Sequence, residues 1–273
     1  MPVTQLYVEG SLDQRTLTGV LSGQVVVAAR GTKDDLPHIV RRDMDDGKSG
    51  TAYLRDRDFD SEPPPSQADE VAIDRELSGV VLGYRWDRTE LENYLLEPAI
   101  VSAALGVDRA EWSAELAKAA VQLHAYTAGR WTLGQLRART RSITKVKTRP
   151  DSLGGRIFPL PRSLAEADVQ AWLSVAVTRV SVAVAREFDV TAVRKQFENY
   201  KVTLAGKSGG EILRWYSGKD LFGILAGYFQ SKGINNSADA MERVLVWLET
   251  TNGISAAIGH LPEWKNLVTV LSK

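Results

Sequence analysis

The chain contains no cysteine, which excludes a disulfide framework and any thiolate-bound zinc site. Histidine is nearly as scarce. His38, His124 and His260 are scattered without metal-ligand spacing and read as surface or packing residues. Charge of one sign is not in excess, with 34 basic against 34 acidic residues, so net charge selects no class of partner. No apolar run approaches the ~20 residues that cross a bilayer. The opening Met1-Pro2-Val3-Thr4-Gln5-Leu6 runs straight into a strand, without the pattern of a secretory leader. The expectation is a cytoplasmic protein with no membrane partner. What is present is 273 residues, 44% hydrophobic and 25% charged. That is an ordinary folded composition with a real core, enough for one large domain or two small ones.

Within the first hundred residues, acidic residues gather where apolar runs end. Leu6-Tyr7-Val8 is followed by Glu9-Gly10 and then Asp13. Ala52-Tyr53-Leu54 is followed by Arg55-Asp56-Arg57-Asp58-Phe59-Asp60. Gly79-Val80-Val81-Leu82-Gly83-Tyr84 is followed by Thr89-Glu90-Leu91-Glu92-Asn93-Tyr94-Leu95-Leu96. Carboxylates placed just past strands collect at the carboxyl edge of a parallel sheet, where α/β proteins build their sites.

The periodicity supports that placement. Strands are expected over 5–9, 24–29, 51–54 and 77–84, with a helix over 12–22 capped by Ser11 and ended by Gly23. One short helix is expected within 31–50, a Pro-rich loop over 61–66, and a helix starting at Glu90. From about residue 98 the pattern becomes helical. The expected segments are 98–105, 109–127, 132–144, 164–187, 190–204, 209–231, 237–250 and 261–272, with a Pro/Gly-rich connection over 148–163. The fold class is therefore α/β: a small, mostly parallel sheet with flanking helices over 1–105, followed by a mainly α-helical module over 106–273. Trp86, Trp112, Trp131, Trp172, Trp215, Trp247 and Trp264 fall mostly at apolar helical positions and read as core.

Glu9 and Asp13 are four residues apart and can face one cation if a helix starts near Ser11. Asp56 and Asp58 alternate, so on an extended segment both point to one side. Glu92 comes from a third element. Such a set repels itself unless a divalent ion neutralises it, and oxygen ligands without His or Cys suit Mg²⁺ or Mn²⁺. Two ions ~4 Å apart are a common device for phosphodiester cleavage.

Val8-Glu9-Gly10, followed by Asp56-Arg57-Asp58 after a strand, resembles the TOPRIM fold of topoisomerases, primases and OLD-type nucleases. With Glu92-Asn93-Tyr94-Leu95-Leu96 and Arg55-Asp56-Arg57-Asp58-Phe59-Asp60, residues 5–97 resemble the stand-alone OLD-like TOPRIM proteins, often encoded beside an ABC-type ATPase. The nuclease effector subunit of the PARIS anti-phage defence system belongs to that group. The resemblance implies that Glu9, Asp56, Asp58 and Glu92 are catalytic metal ligands, that Asp13 is a further ligand, and that two Mg²⁺ (or Mn²⁺) ions bind. Ser217-Gly218-Lys219-Asp220-Leu221-Phe222 resembles the Gly-Lys element of the family's helical part, where a lysine assists cleavage. Lys201 and Lys207 are rivals for that role. The implied activity is nuclease, on tRNA or DNA, as a toxic defence effector. A homodimer and a separate ATPase are implied partners.

No ATPase is expected in this chain. The Gly of each Gly-Lys pair (Gly47-Lys48, Gly206-Lys207, Gly218-Lys219) is preceded five positions earlier by Arg42, Lys201 or Leu213, where a P-loop needs glycine. Between Glu115 and Asp151 there is no acidic residue, and the interval carries Arg137, Arg139, Arg141, Lys145 and Lys147. That stretch is the expected phosphate-binding surface. Two other readings stay open: a TOPRIM-like subunit that binds nucleic acid or a partner without cutting, and a primase- or maturase-like enzyme.

Overall fold

The computed structural model describes residues 2–64, 70–76, 78–140, 161, 163–184 and 190–273. It divides into two compact units. The first comprises Met1–Arg57, Pro64–Gly106 and Met241–Lys273; the second comprises Asp58–Pro63 and Val107–Ala240.

In the first unit the chain runs β1 (Gln5–Val8), α1 (Ser11–Val20), β2 (Val26–Ala29), α2 (Leu36–Asp45) and β3 (Thr51–Arg55), then β4 (Ala72–Arg75), β5 (Val81–Arg85), α3 (Glu92–Leu95) and α4 (Pro98–Leu105). The strands form one sheet in the order β2-β1-β3-β5-β4. The β1–β2, β1–β3 and β3–β5 pairs are parallel, and β4 pairs antiparallel with β5. The fold class is thus α/β, with a mostly parallel sheet and flanking helices. The strands are apolar because both faces are covered: Leu6, Val8, Ala52 and Leu54 are 3% exposed or less. On one side α2 buries Leu36 and Val40 in a cluster with Tyr7, Tyr53 and Leu82.

The expected strand over 77–84 is shorter than its apolar run. Before Val81 the Glu76 N–H donates to the Val80 carbonyl and the Gly79 N–H to that of Glu76, between the edge strand β4 and β5. β4 was not expected, because Ala72-Ile73-Asp74-Arg75 alternates over only four residues. It is held by side chains: Asp74 accepts from the Tyr53 hydroxyl (3.0 Å) and pairs with Arg55 (2.5 Å).

The second unit is helical: α5 (Arg109–Thr140), α6 (Glu166–Val184), α7 (Val190–Ala205), α8 (Gly210–Trp215), α9 (Gly218–Ile224) and α10 (Ala226–Ser231), with the division falling inside α11 (Ser237–Leu248). The segments expected over 109–127 and 132–144 are one helix. Glycine at 129 and 134 marks close approach, not a break: a Cβ at Gly129 would meet the Trp172 ring, and one at Gly134 would meet Phe59. The single helix expected over 209–231 is three, turned at Tyr216-Ser217 and Leu225. Trp112 and Trp131 are fully buried, as expected of core residues.

The last elements, α12 (Thr251–His260) and α13 (Pro262–Leu271), belong to the first unit. The grouping by contact therefore differs from the division expected at 105/106. Helical periodicity shows that a segment has an apolar stripe, but not which surface the stripe covers. Here α12 packs on α1, α4 and α13, the Val3 amide donates to the Leu271 carbonyl, and Arg15 pairs with Glu242 and Glu249. Segment 58–63 also falls with the helical unit, where Phe59 meets Trp131, Asp60 pairs with Arg137 and Glu62 accepts from the Tyr200 hydroxyl. The connection expected over 148–163 lies outside the described residues apart from 161 and 163, as do residues 65 and 66 of the Pro-rich loop. Among the described residues no helix is long and apolar enough to cross a membrane.

Candidate metal centre

Strands β1, β3 and β5 are neighbours and parallel, so their carboxyl ends lie side by side, roughly 5 Å apart per strand. Glu9 follows β1, Asp56 follows β3, and Glu90 stands five residues beyond β5. Asp56, Asp58 and Glu90 each offer a carboxylate oxygen within 4.8 Å of the others. Glu90 is buried and the two aspartates are half-buried. Three converging carboxylates in a partly desolvated place fit a hard cation, so the cluster could hold a metal ion.

The geometry behind that convergence differs from an extended Asp-x-Asp. Asp58 has φ 52°, in the left-handed region. Aspartate is among the few residues that tolerate this conformation, and the backbone turns there instead of continuing the strand. Between the two acids, Arg57 is 2% exposed and its Nε donates to the Asp87 carbonyl at 2.7 Å. That bond ties the turn to the segment leading to Glu90.

Glu9 stands beside the cluster. Its Oε1 accepts the Asp56 backbone N–H at 3.0 Å, so the end of β1 sets the position of the residue after β3. Asp13 is placed by α1: its Oδ2 accepts from the N–H of the helix-capping residue Gly10 at 3.1 Å. Helix α1 starts from Gly10 rather than from a Ser11 cap. Glu92, the first residue of α3, is 5% exposed, and the oxygen that joins Asp56 and Asp58 within 4.8 Å comes from Glu90. Sequence spacing alone does not separate the two. Glu90 is fixed because its N–H bonds the Asn93 Oδ1 at 3.1 Å in the tight turn before α3.

A buried lattice supports this edge of the first unit. The Asp87 amide donates to Glu263 Oε1 at 2.7 Å, and the Tyr94 hydroxyl donates to Glu263 Oε2. Arg88 donates through its amide to the Tyr94 oxygen (3.2 Å), through its guanidinium to the Asn93 carbonyl (3.0 Å), and pairs with Glu97 (2.6 Å). Burial pushes the Glu263 carboxyl up to about 8, against the opposing effects of the Tyr94 hydroxyl and the Asp87 amide. Burial likewise raises Tyr94 well above the usual range. Glu263 is invisible to motif reasoning, since nothing in Pro262-Glu263-Trp264 marks its distance of more than 170 residues from Asp87 as zero in space.

In the helical unit, Arg137 pairs with Asp60 at 2.5 Å and lies 3.8 Å from Asp58. Arg139 is exposed, while Arg141, Lys145 and Lys147 lie outside the described residues. Lys219 is the second residue of α9 and half-buried. Of the other two lysines, Lys201 pairs with Glu166 (2.7 Å) and Glu198 (3.2 Å), and Lys207 pairs with Glu211 (3.4 Å) and sits 4.4 Å over the Trp215 ring.

No protein-family model and no curated protein matches the chain.

Proposed function

We propose that the protein is a metal-dependent nuclease of TOPRIM type, cutting tRNA, other RNA or DNA as a toxic effector in anti-phage defence. The observation that carries the reading is the convergence of Asp56, Asp58 and Glu90 within 4.8 Å at the carboxyl ends of adjacent parallel strands. Glu9 joins them through the Asp56 amide.

In this reading Asp56, Asp58 and Glu90 hold one Mg²⁺ or Mn²⁺, and Glu9, with Asp13 or Glu92, supplies carboxylates toward a second. A bound divalent ion there would act as a Lewis acid and lower the pKa of water. The Arg137 guanidinium, 3.8 Å from Asp58, brings positive charge to a place where phosphate oxygens would gather. Lys219 would offset charge that builds on the scissile phosphate. Control by a separate ABC-type ATPase and self-association both rest on the OLD-like resemblance, together with the lack of any P-loop in this chain.

The test is expression of wild type and Asp56→Asn in bacteria, with DNA and RNA examined on gels, alone and with a cognate ATPase. Fragmentation by wild type only supports the reading and names the substrate. Intact nucleic acid in every combination, from a protein that still binds it, would instead assign a non-catalytic binding subunit.

A further inference from the structure

Lys219 and Asp58 are 161 positions apart in sequence, yet one buried side chain holds the neighbour of each. Arg130 of α5 is 5% exposed. Its Nη1 donates to the Asp220 carboxylate, which is fully buried and follows Lys219 directly. The same guanidinium lies 4.3 Å over the ring of Phe59, which follows Asp58 directly and is 1% exposed. Both attachments are reinforced. Asp220 donates its N–H to the fully buried Ser217 Oγ at 3.3 Å, closing the first turn of α9 around Lys219. Phe59 meets the edge of Trp131 at 4.9 Å, its carbonyl accepts from Gln135 Nε2 at 3.3 Å, and Gly134 leaves no room for it to retreat.

A buried ion pair is a weak stability device, because desolvation cancels much of the attraction. Its use lies in geometry: a planar guanidinium can bond one partner in its plane and stack on another with its face. We propose that Arg130 is a positioning residue that holds the turn bearing Asp58 and the helix start bearing Lys219 as one piece. The proposal rests on the nuclease reading for its consequence in catalysis. Arg130 itself touches no reacting atom; it acts through Phe59 and Asp220.

The test uses the full chain with both partners replaced, Arg130→Met with Asp220→Leu. Removing only one partner would leave a buried charge unpaired, whereas apolar replacement of a buried pair is usually tolerated. Hydrogen exchange is read over peptides spanning 58–60 and 218–221, and cleavage is read as kcat and KM separately. The expected result is joint loss of protection in both peptides, with α7 and β1 unchanged. With it comes a kcat lower by roughly 100-fold at a KM within about twofold, the size expected for a misplacement near 1 Å. Protection lost in only one peptide, or in neither, overturns the proposal; so does joint loss with unchanged kcat. If wild type cleaves nothing, alone or with the ATPase, the nuclease reading fails, while the exchange result still decides whether Arg130 couples the two segments. Should the paired variant melt, Arg130→Lys keeps the charge for Asp220 and removes the flat face over Phe59. It should lose protection at 58–60 only, and unchanged protection there contradicts the proposal.

Discussion

Replacing Gly134 by alanine should move the acid-bearing turn without touching an acid. A Cβ at position 134 would stand 2.4 Å from both the Phe59 Cβ and the Phe59 carbonyl oxygen. An ordinary carbon contact is ~3.5–4 Å, so about 1 Å of displacement is required, and one of the obstructing atoms is backbone that no rotamer change can clear. Overpacking of this kind costs about 1–3 kcal/mol. Alanine in mid-helix returns ~1 kcal/mol relative to glycine. The net loss is about 0–2 kcal/mol, or up to ~8 °C in melting temperature at this size. Because Asp58 immediately precedes Phe59, the same displacement should lower cleavage by on the order of 100-fold. Gly129→Ala is the internal control: there the new Cβ would meet side-chain atoms of Trp172 (2.8 Å) and Val169 (3.2 Å), which can shift. The assays are thermal melting by circular dichroism and Mn²⁺ titration calorimetry. A Gly134→Ala protein that melts at or above wild type and binds Mn²⁺ equally well would refute the reasoning.

Glu263 predicts a pH dependence. Its folded pKa of about 8 lies above the ordinary 4.5, so between those values the folded state holds one more proton than the unfolded state. The stabilising contribution is full below about pH 4.5 and is lost as pH rises through about 8. Urea midpoints from pH 5 to 8.5 should therefore fall more steeply for wild type than for Glu263→Gln, and parallel slopes would contradict this. Arg15, by contrast, pairs with Glu242 and Glu249 at the surface, with all three side chains more than a third exposed. Arg15→Ala should cost no more than ~1 kcal/mol, and less in 1 M salt; a loss of several degrees in both salts would contradict it.

Much of the site was legible because strand ends are punctuated in sequence. Val8-Glu9-Gly10 and Leu54-Arg55-Asp56 announce both the end of an apolar run and the acid that follows it, and parallel pairing of β1, β3 and β5 does the rest. The choice between Glu90 and Glu92 was not legible. It depends on a turn held by Asn93 and Tyr94, whose partners Arg88 and Glu263 lie outside the motif. The convergence of Asp56 and Asp58 was anticipated for a reason that does not hold, since a left-handed residue rather than strand alternation directs it. The return of α12 and α13 to the first unit, and the burial of Phe59 against Arg130, are long-range pairings that periodicity cannot encode.

The most direct measurement is calorimetric titration of Mn²⁺ into wild type, Glu90→Gln and Glu92→Gln. The account predicts binding by wild type, weakened at least about tenfold in Glu90→Gln and less in Glu92→Gln. Absence of binding by wild type, or a Glu90→Gln affinity equal to it, would contradict the claim that Asp56, Asp58 and Glu90 form a metal centre.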